Sequence, residues 1–261
     1  MIRRFWLLFI PFIFCFQAAA DDDCVNWFKN SGISKAAKDC VLKCDILITD
    51  MSTFMCAARC DEFCNPQKCK DDSYWSGKIR PGRPTNWRIT SESTADWTSG
   101  EKSKLLAVLN RFPDQSKSVP FDGIYRMKKS VTPTNPATTG SDGRAIVLYD
   151  RALNNPFFST SRVLTHEFGH VLFLNFSEAE RRSYRDKMKW KTNLINPESR
   201  PGKFISPRAA DSADEDFAEN INFFLFEPDV LRAKVPDAYD WLTKKFSKAF
   251  KLKEDCQHEN H

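Results

Sequence analysis

Apolar positions fall into a few clear patterns along this chain. Val163, Leu164, Phe168, Val171, Leu172 and Phe173 recur at helical spacing over a wide arc, which predicts a helix buried on more than one side. Ser159-Thr160-Ser161 offers N-cap candidates for it. Phe217, Ala218, Ile221, Phe224 and Leu225 predict a second amphipathic helix. A third is opened by Thr98-Ser99-Gly100-Glu101, carries Leu105 to Leu109, and stops before Pro113. Gly123 to Met127 and Arg144 to Tyr149 read as strands, separated by a Pro/Thr/Gly/Asn-rich loop from Thr132 to Gly143. Glu178, Glu180, Arg181, Arg182, Arg185 and Asp186, behind Ser177, read as a helix with a solvated face. Phe246 and Phe250, set among the lysines from Lys244 to Lys253, read as an amphipathic last helix. Together these elements predict an α+β fold over residues 98–255.

The N-terminus points to export. Arg3 and Arg4 precede an apolar run from Phe5 to Phe16, followed by Ala18-Ala19-Ala20 and three aspartates. That is the pattern of a signal peptide over residues 1–20, and its apolar run is too short to span a bilayer. With Cys15 removed, eight of the nine cysteines remain: Cys24, Cys40, Cys44, Cys56, Cys60, Cys64, Cys69 and Cys256. An even number in an oxidising compartment reads as disulfides. Cys40/Cys44 and Cys56/Cys60/Cys64 repeat every four residues, so each set lines one helix face. This spacing resembles the α-hairpinin scaffold, which implies two antiparallel helices stapled as Cys40–Cys60 and Cys44–Cys56. Residues 21–70 are therefore expected to form a small disulfide-rich helical hairpin. Zinc binding by these thiols is the rival reading, disfavoured by export and by spacings of three intervening residues. Eight cysteines allow 105 connectivities, and a Cys256 bridge would tie the module to the domain behind it. Residues 71–97, with Trp75, Trp87 and Trp97, read either as a linker or as a strap on that domain. Residues 256–261 read as a tail.

Chemistry concentrates in His166-Glu167-Phe168-Gly169-His170, which holds two of the chain's four histidines. Positions i and i+4 share a helix face, so His166 and His170 can grip one metal ion, and the pattern reads as zinc. Glu167 then stands where a carboxylate can take a proton from an activated water. Gly169 would cost about 1 kcal/mol against Ala in a helix interior, so it marks either close helix packing or access to the metal. A third ligand is needed. A third histidine in an extended motif is excluded, because Phe173 and Phe176 hold the Gly and His positions. His258 and His261 lie in the charged tail. A carboxylate remains, and Asp214-Glu215-Asp216-Phe217-Ala218-Glu219 is the candidate segment. Glu215 and Glu219 sit one turn apart, suited to a ligand and an outer partner for a ligating His. Equally, Ser212-Ala213-Asp214-Glu215 fits a capping box, in which Glu215 would only close the helix start.

The His166–Phe173 motif together with Glu215-Asp216-Phe217-Ala218-Glu219 resembles the gluzincin metallopeptidases, most of all the anthrax lethal factor-type peptidase domain. The resemblance runs roughly from Thr98 to Phe250, including the closing segment Leu231 to Leu242. It implies a zincin-like metallopeptidase domain, with Glu215 as the third ligand and Glu219 as its outer-shell partner. It also implies that the strand before the metal helix is an edge along which an extended polypeptide substrate docks, which makes Ala145–Tyr149 the candidate edge; a plain core strand is the other reading. Such enzymes often carry a Tyr about two turns before the ligand Glu, where its hydroxyl stabilises the oxyanion. Arg208 stands near that place here, either serving the same electrostatic purpose or lying exposed on a loop.

The formal charge of +5 falls by two when Arg3 and Arg4 leave with the signal, too little to argue for nucleic acid. The reading is thus a secreted (extracellular or periplasmic), monomeric zinc endopeptidase with no nucleic-acid or membrane partner. It holds one Zn2+ on His166, His170 and Glu215, uses Glu167 as base, and is assisted by Arg208. The alternative is a catalytically weak or inactive zinc-bearing protein whose function, inhibitory or targeting, lies in the Cys-rich module. A zinc amidase acting on a non-protein polymer shares the same metal site.

Overall fold

The computed structural model describes residues 73–154, 159–191, 199–247 and 250–253. The expected signal peptide, the cysteine-rich hairpin, Cys256 and the tail lie outside the described residues.

A mixed four-stranded sheet underlies the domain: β1 (Ile79–Arg80), β2 (Gly123–Met127), β3 (Ala137–Thr139) and β4 (Ala145–Tyr149), in the order β1-β2-β4-β3. β1, β2 and β4 run parallel, and β3 returns antiparallel to β4. The helices are α1 (Ser73–Ser76), α2 (Ser99–Leu109), α3 (Asp150–Asn154), α4 (Thr160–Asn175), α5 (Glu178–Met188), α6 (Ala213–Phe226), α7 (Pro228–Lys234) and α8 (Pro236–Phe246). None of the described helices is long and apolar enough to cross a membrane.

The expected edge at Ala145–Tyr149 is corrected by the topology. β4 is flanked by β2 on one side and β3 on the other, so its backbone has no open edge. The sequence already carries the physical reason. Ala-Ile-Val-Leu-Tyr is apolar at every position rather than at alternate ones, the pattern of a strand covered on both faces. Ile146 and Leu148, with Ile124 and Ala137, join the main core, which also holds Leu164, Phe168 and Val171 of α4. Val147 and Tyr149 point the other way and pack with Met127, Trp87 and Tyr125. The edge strand on the β4 side is β3, inside the stretch read as a loop from Thr132 to Gly143. Three residues between Pro136 and Gly140 are too few to show a period.

Residues 73–97 pack onto this sheet. β1 extends it, Trp75 is fully buried in the core, and the Trp97 Nε1–H donates to the Arg80 carbonyl at 2.9 Å. Glu92 accepts from the Trp87 indole, the Val131 N–H and the Tyr149 hydroxyl, at 2.9, 3.0 and 3.0 Å. Burial and this carboxylate push the Tyr149 phenol up to about 12, although its contact with Thr138 works the other way.

The helix starts follow from local chemistry. Thr98 and Glu101 cap α2 reciprocally, and Ser177 and Glu180 do the same for α5. On α5 only Tyr184 and Met188 turn inward to full burial. The closing segment is two helices, with Pro236 opening the second at a position where proline's missing N–H costs nothing. The expected helix across Lys244 to Lys253 is also corrected. α8 ends at Phe246, and Ser247 takes φ 65°, the left-handed region, so the chain turns there. Phe250 still reaches the core by stacking on Phe246 at 4.3 Å, and the Lys253 N–H bonds the Arg111 carbonyl.

Candidate metal centre

Two helices build the site. α4 starts on Ser159, whose hydroxyl accepts from the Arg162 N–H, and every residue from Thr160 to Phe173 is buried. α6 starts on Ser212, which accepts from the Glu215 N–H at 3.1 Å. The helices run antiparallel, since their contacts step in opposite directions: Arg162 meets Asn222, His166 meets Glu219, and His170 meets Asp214.

Gly169 is what lets them approach. A Cβ there would lie 2.7 Å from the Ala218 Cα and 3.1 Å from its Cβ, closer than such atoms pack. Between the two readings of this glycine, the contact is one of helix packing. Gly169→Ala is expected to gain about 1 kcal/mol of helix propensity and to lose roughly 1–3 kcal/mol to overpacking. The net effect is a lower thermal midpoint together with weaker zinc binding, both read by metal titration during melting. An unchanged midpoint with unchanged affinity would show that the helices part freely.

His166 Nε2 lies 3.1 Å from His170 Nε2 and 3.1 Å from Glu215 Oε2, and His170 Nε2 lies 3.7 Å from that same oxygen. Among the described residues, these three form the one group of histidine, cysteine or acidic side chains whose ligand atoms all lie within 4.8 Å of one another. Tetrahedral zinc with bonds of 2.0–2.1 Å spaces its ligand atoms by about 3.3 Å, which this triangle brackets. The outer ring nitrogens face carboxylates. His166 Nδ1 is 2.6 Å from Glu219 Oε1, and His170 Nδ1 is 2.9 Å from Asp214 Oδ1. With a metal bound, a proton on each Nδ1 beside these carboxylates would leave both Nε2 lone pairs free to ligate. Three acceptors facing one point fit a cation between them.

Without a metal, the same carboxylates draw a proton onto His166, which a bound cation would replace. Burial opposes a charge on His166, but Glu215 and Glu219 outweigh it and raise the imidazole to about 10. Burial would likewise raise Glu215, yet hydrogen bonds from His166 and Arg208 hold its carboxyl well below the usual carboxylate range. Glu219 is also held low against its burial, chiefly by His166 and further by the Ser206 hydroxyl.

The capping reading of Glu215 is half right: its N–H is capped by Ser212, while its carboxylate turns to His166 and Arg208. Arg208 sits on a short 3₁₀ turn (Arg208–Ala210), gives Nε–H to Glu215 Oε2 at 2.7 Å and Nη2–H to Oε1 at 3.2 Å, and keeps 39 % of its side chain exposed. Glu167 is buried beside the triangle, and the Thr139 hydroxyl of β3 lies 2.8 Å from its Oε2.

Asp214 and Thr139 are the residues that sequence reasoning missed. Asp214 had only a partial signal: in an antiparallel pair the four-residue step from His166 to His170 leads back from Glu219 to Glu215, and Asp214 stands one residue beyond. Thr139 had none, since its strand carries no period of its own. No protein-family model, no curated protein and no solved structure gives a significant match to this chain.

Proposed function

We propose that the chain is a secreted, monomeric zinc endopeptidase of gluzincin type, with a zincin-like domain that cleaves polypeptides. The observation that carries this reading is the convergence of His166 Nε2, His170 Nε2 and Glu215 Oε2 with Glu167 buried beside them. Bound zinc would supply Lewis acidity, making a water nucleophilic at neutral pH and polarising the scissile carbonyl. Glu167 takes the proton of the attacking water and returns it to the leaving amine. Glu219 and Asp214 orient the two imidazoles, and Arg208 holds Glu215. With two of its N–H groups on Glu215, Arg208 helps the developing oxyanion through its charge rather than through those donors.

The substrate edge moves to β3. The Tyr149 N–H bonds the Pro136 carbonyl and the Gly140 N–H bonds the Ala145 carbonyl. Residues 136, 138 and 140 therefore turn their backbone groups to β4, and those of Ala137 and Thr139 point outward. Ala137 is buried and Thr139 half-buried, so the open part of the edge starts at Thr139.

The test is a digest of a diverse peptide pool by the oxidised, zinc-loaded mature protein, read by mass spectrometry, with chelated and zinc-restored samples alongside. Cleavage is expected, lost on chelation and regained with zinc. Bound zinc without cleavage would favour the binding or inhibitor reading, and a protein that takes up no zinc would overturn both.

A further inference from the structure

We infer that Thr139 is a positioning residue that couples the docking edge to the general base, an inference that rests on the endopeptidase reading above. The same residue faces both ways. Its outward backbone groups lie on the open edge of β3, while its hydroxyl lies 2.8 Å from Glu167 Oε2 and 2.9 Å from the Glu167 carbonyl. A hydroxyl has one proton to give, and a carboxylate oxygen is a stronger acceptor than an amide carbonyl already engaged in a helix. The bond to Oε2 therefore holds the carboxylate and leaves Oε1 to exchange the proton with water and amine. A chain laid along β3 presses on the strand that carries this hydroxyl, so docking tightens the base at the moment a substrate is present.

Thr138, one residue earlier, turns to the opposite sheet face, where its hydroxyl meets Asn135 and Tyr149 at 2.7 and 3.5 Å. Period-2 alternation thus gives the two adjacent threonines different neighbours, and only Thr139 reaches α4.

The experiment compares zinc-loaded wild type, Thr139→Val and Thr139→Ser on one peptide substrate, with zinc content and thermal midpoint measured on each. Val keeps the β-branched shape and removes the hydroxyl; Ser keeps the hydroxyl. Thr139→Val is expected to lower kcat by about ten- to thirty-fold with KM little changed, the scale of one hydrogen bond to a charged group. Thr139→Ser is expected to stay within about threefold of wild type, because it retains that bond. A raised KM with unchanged kcat in the valine variant would overturn the inference, leaving Thr139 as a support of the edge alone. A serine variant as slow as the valine one would overturn it too. Wild-type zinc protein that cleaves nothing would remove the endopeptidase reading and this inference together, an outcome distinct from active wild type matched by an equally active valine variant.

Discussion

Glu167→Gln is expected to bind zinc as the wild type does and to lose about a hundred- to ten-thousand-fold in kcat, the usual contribution of a positioned general base. That range corresponds to roughly 3–5 kcal/mol of transition-state stabilisation. The substitution isolates one function. His166, His170 and Glu215 form the triangle without Glu167, so the proposed ligands are untouched. Gln fills the same buried space, and its amide oxygen can still accept from the Thr139 hydroxyl, so the local fold is kept. Only the capacity to accept a proton at neutral pH goes. Zinc content by elemental analysis and kcat on a peptide found by the pool digest are the two readouts. Turnover within tenfold of wild type, with full zinc, would show that another group takes the proton and that Glu167 is a bystander of the metal.

Much of the architecture was readable from residue spacing because single elements carried complete signals. The helix around His166 had its cap, its apolar arc and its histidine pair within one stretch of sequence. The Thr98–Glu101 cap and the charged run behind Ser177 marked two helices, and the structure closes the start of each with a capping box. What was not readable depended on which elements lie side by side. β3 is three residues long, so neither its existence nor its place at the edge shows in a period. β4 was assigned the edge by resemblance, although its unbroken apolar run argued for an interior strand. The outer partner of His170, Asp214, follows only once α4 and α6 are known to run antiparallel. Gly169 could be weighed but not decided before Ala218 was known to lie across from it.

Asp216→Ala is expected to cost about 3–5 kcal/mol of stability, the scale for removing one partner of a buried ion pair. Asp216 is fully buried one residue after Glu215 and points away from the metal triangle. It accepts from Arg200 Nη2 and Trp190 Nε1 at 2.9 Å each, and from Tyr184 Oη and Asn220 Nδ2 at 3.1 Å each. Burial pushes its carboxyl up, and Arg200, Trp190 and Tyr184 offset that only in part. Burial and this same carboxylate drive the Tyr184 phenol well above its ordinary value. Alanine would leave the Arg200 guanidinium, only 4 % exposed, without its counter-ion and three further donors short of an acceptor. For a domain of this size the loss corresponds to a fall of roughly 8–15 °C in thermal midpoint. Asp216→Asn keeps the shape and removes the charge, so it is expected to fall between alanine and wild type. The hub also braces the candidate metal site, because Asp216 ties α6 to Tyr184 on α5 while Glu215, one step back, faces the histidines. Zinc affinity should therefore weaken in step with stability across the two variants. Stability loss with unaltered zinc affinity would show that the packing of Gly169 on Ala218 holds the triangle by itself, and a loss below about 1 kcal/mol would mean that the donors find other acceptors.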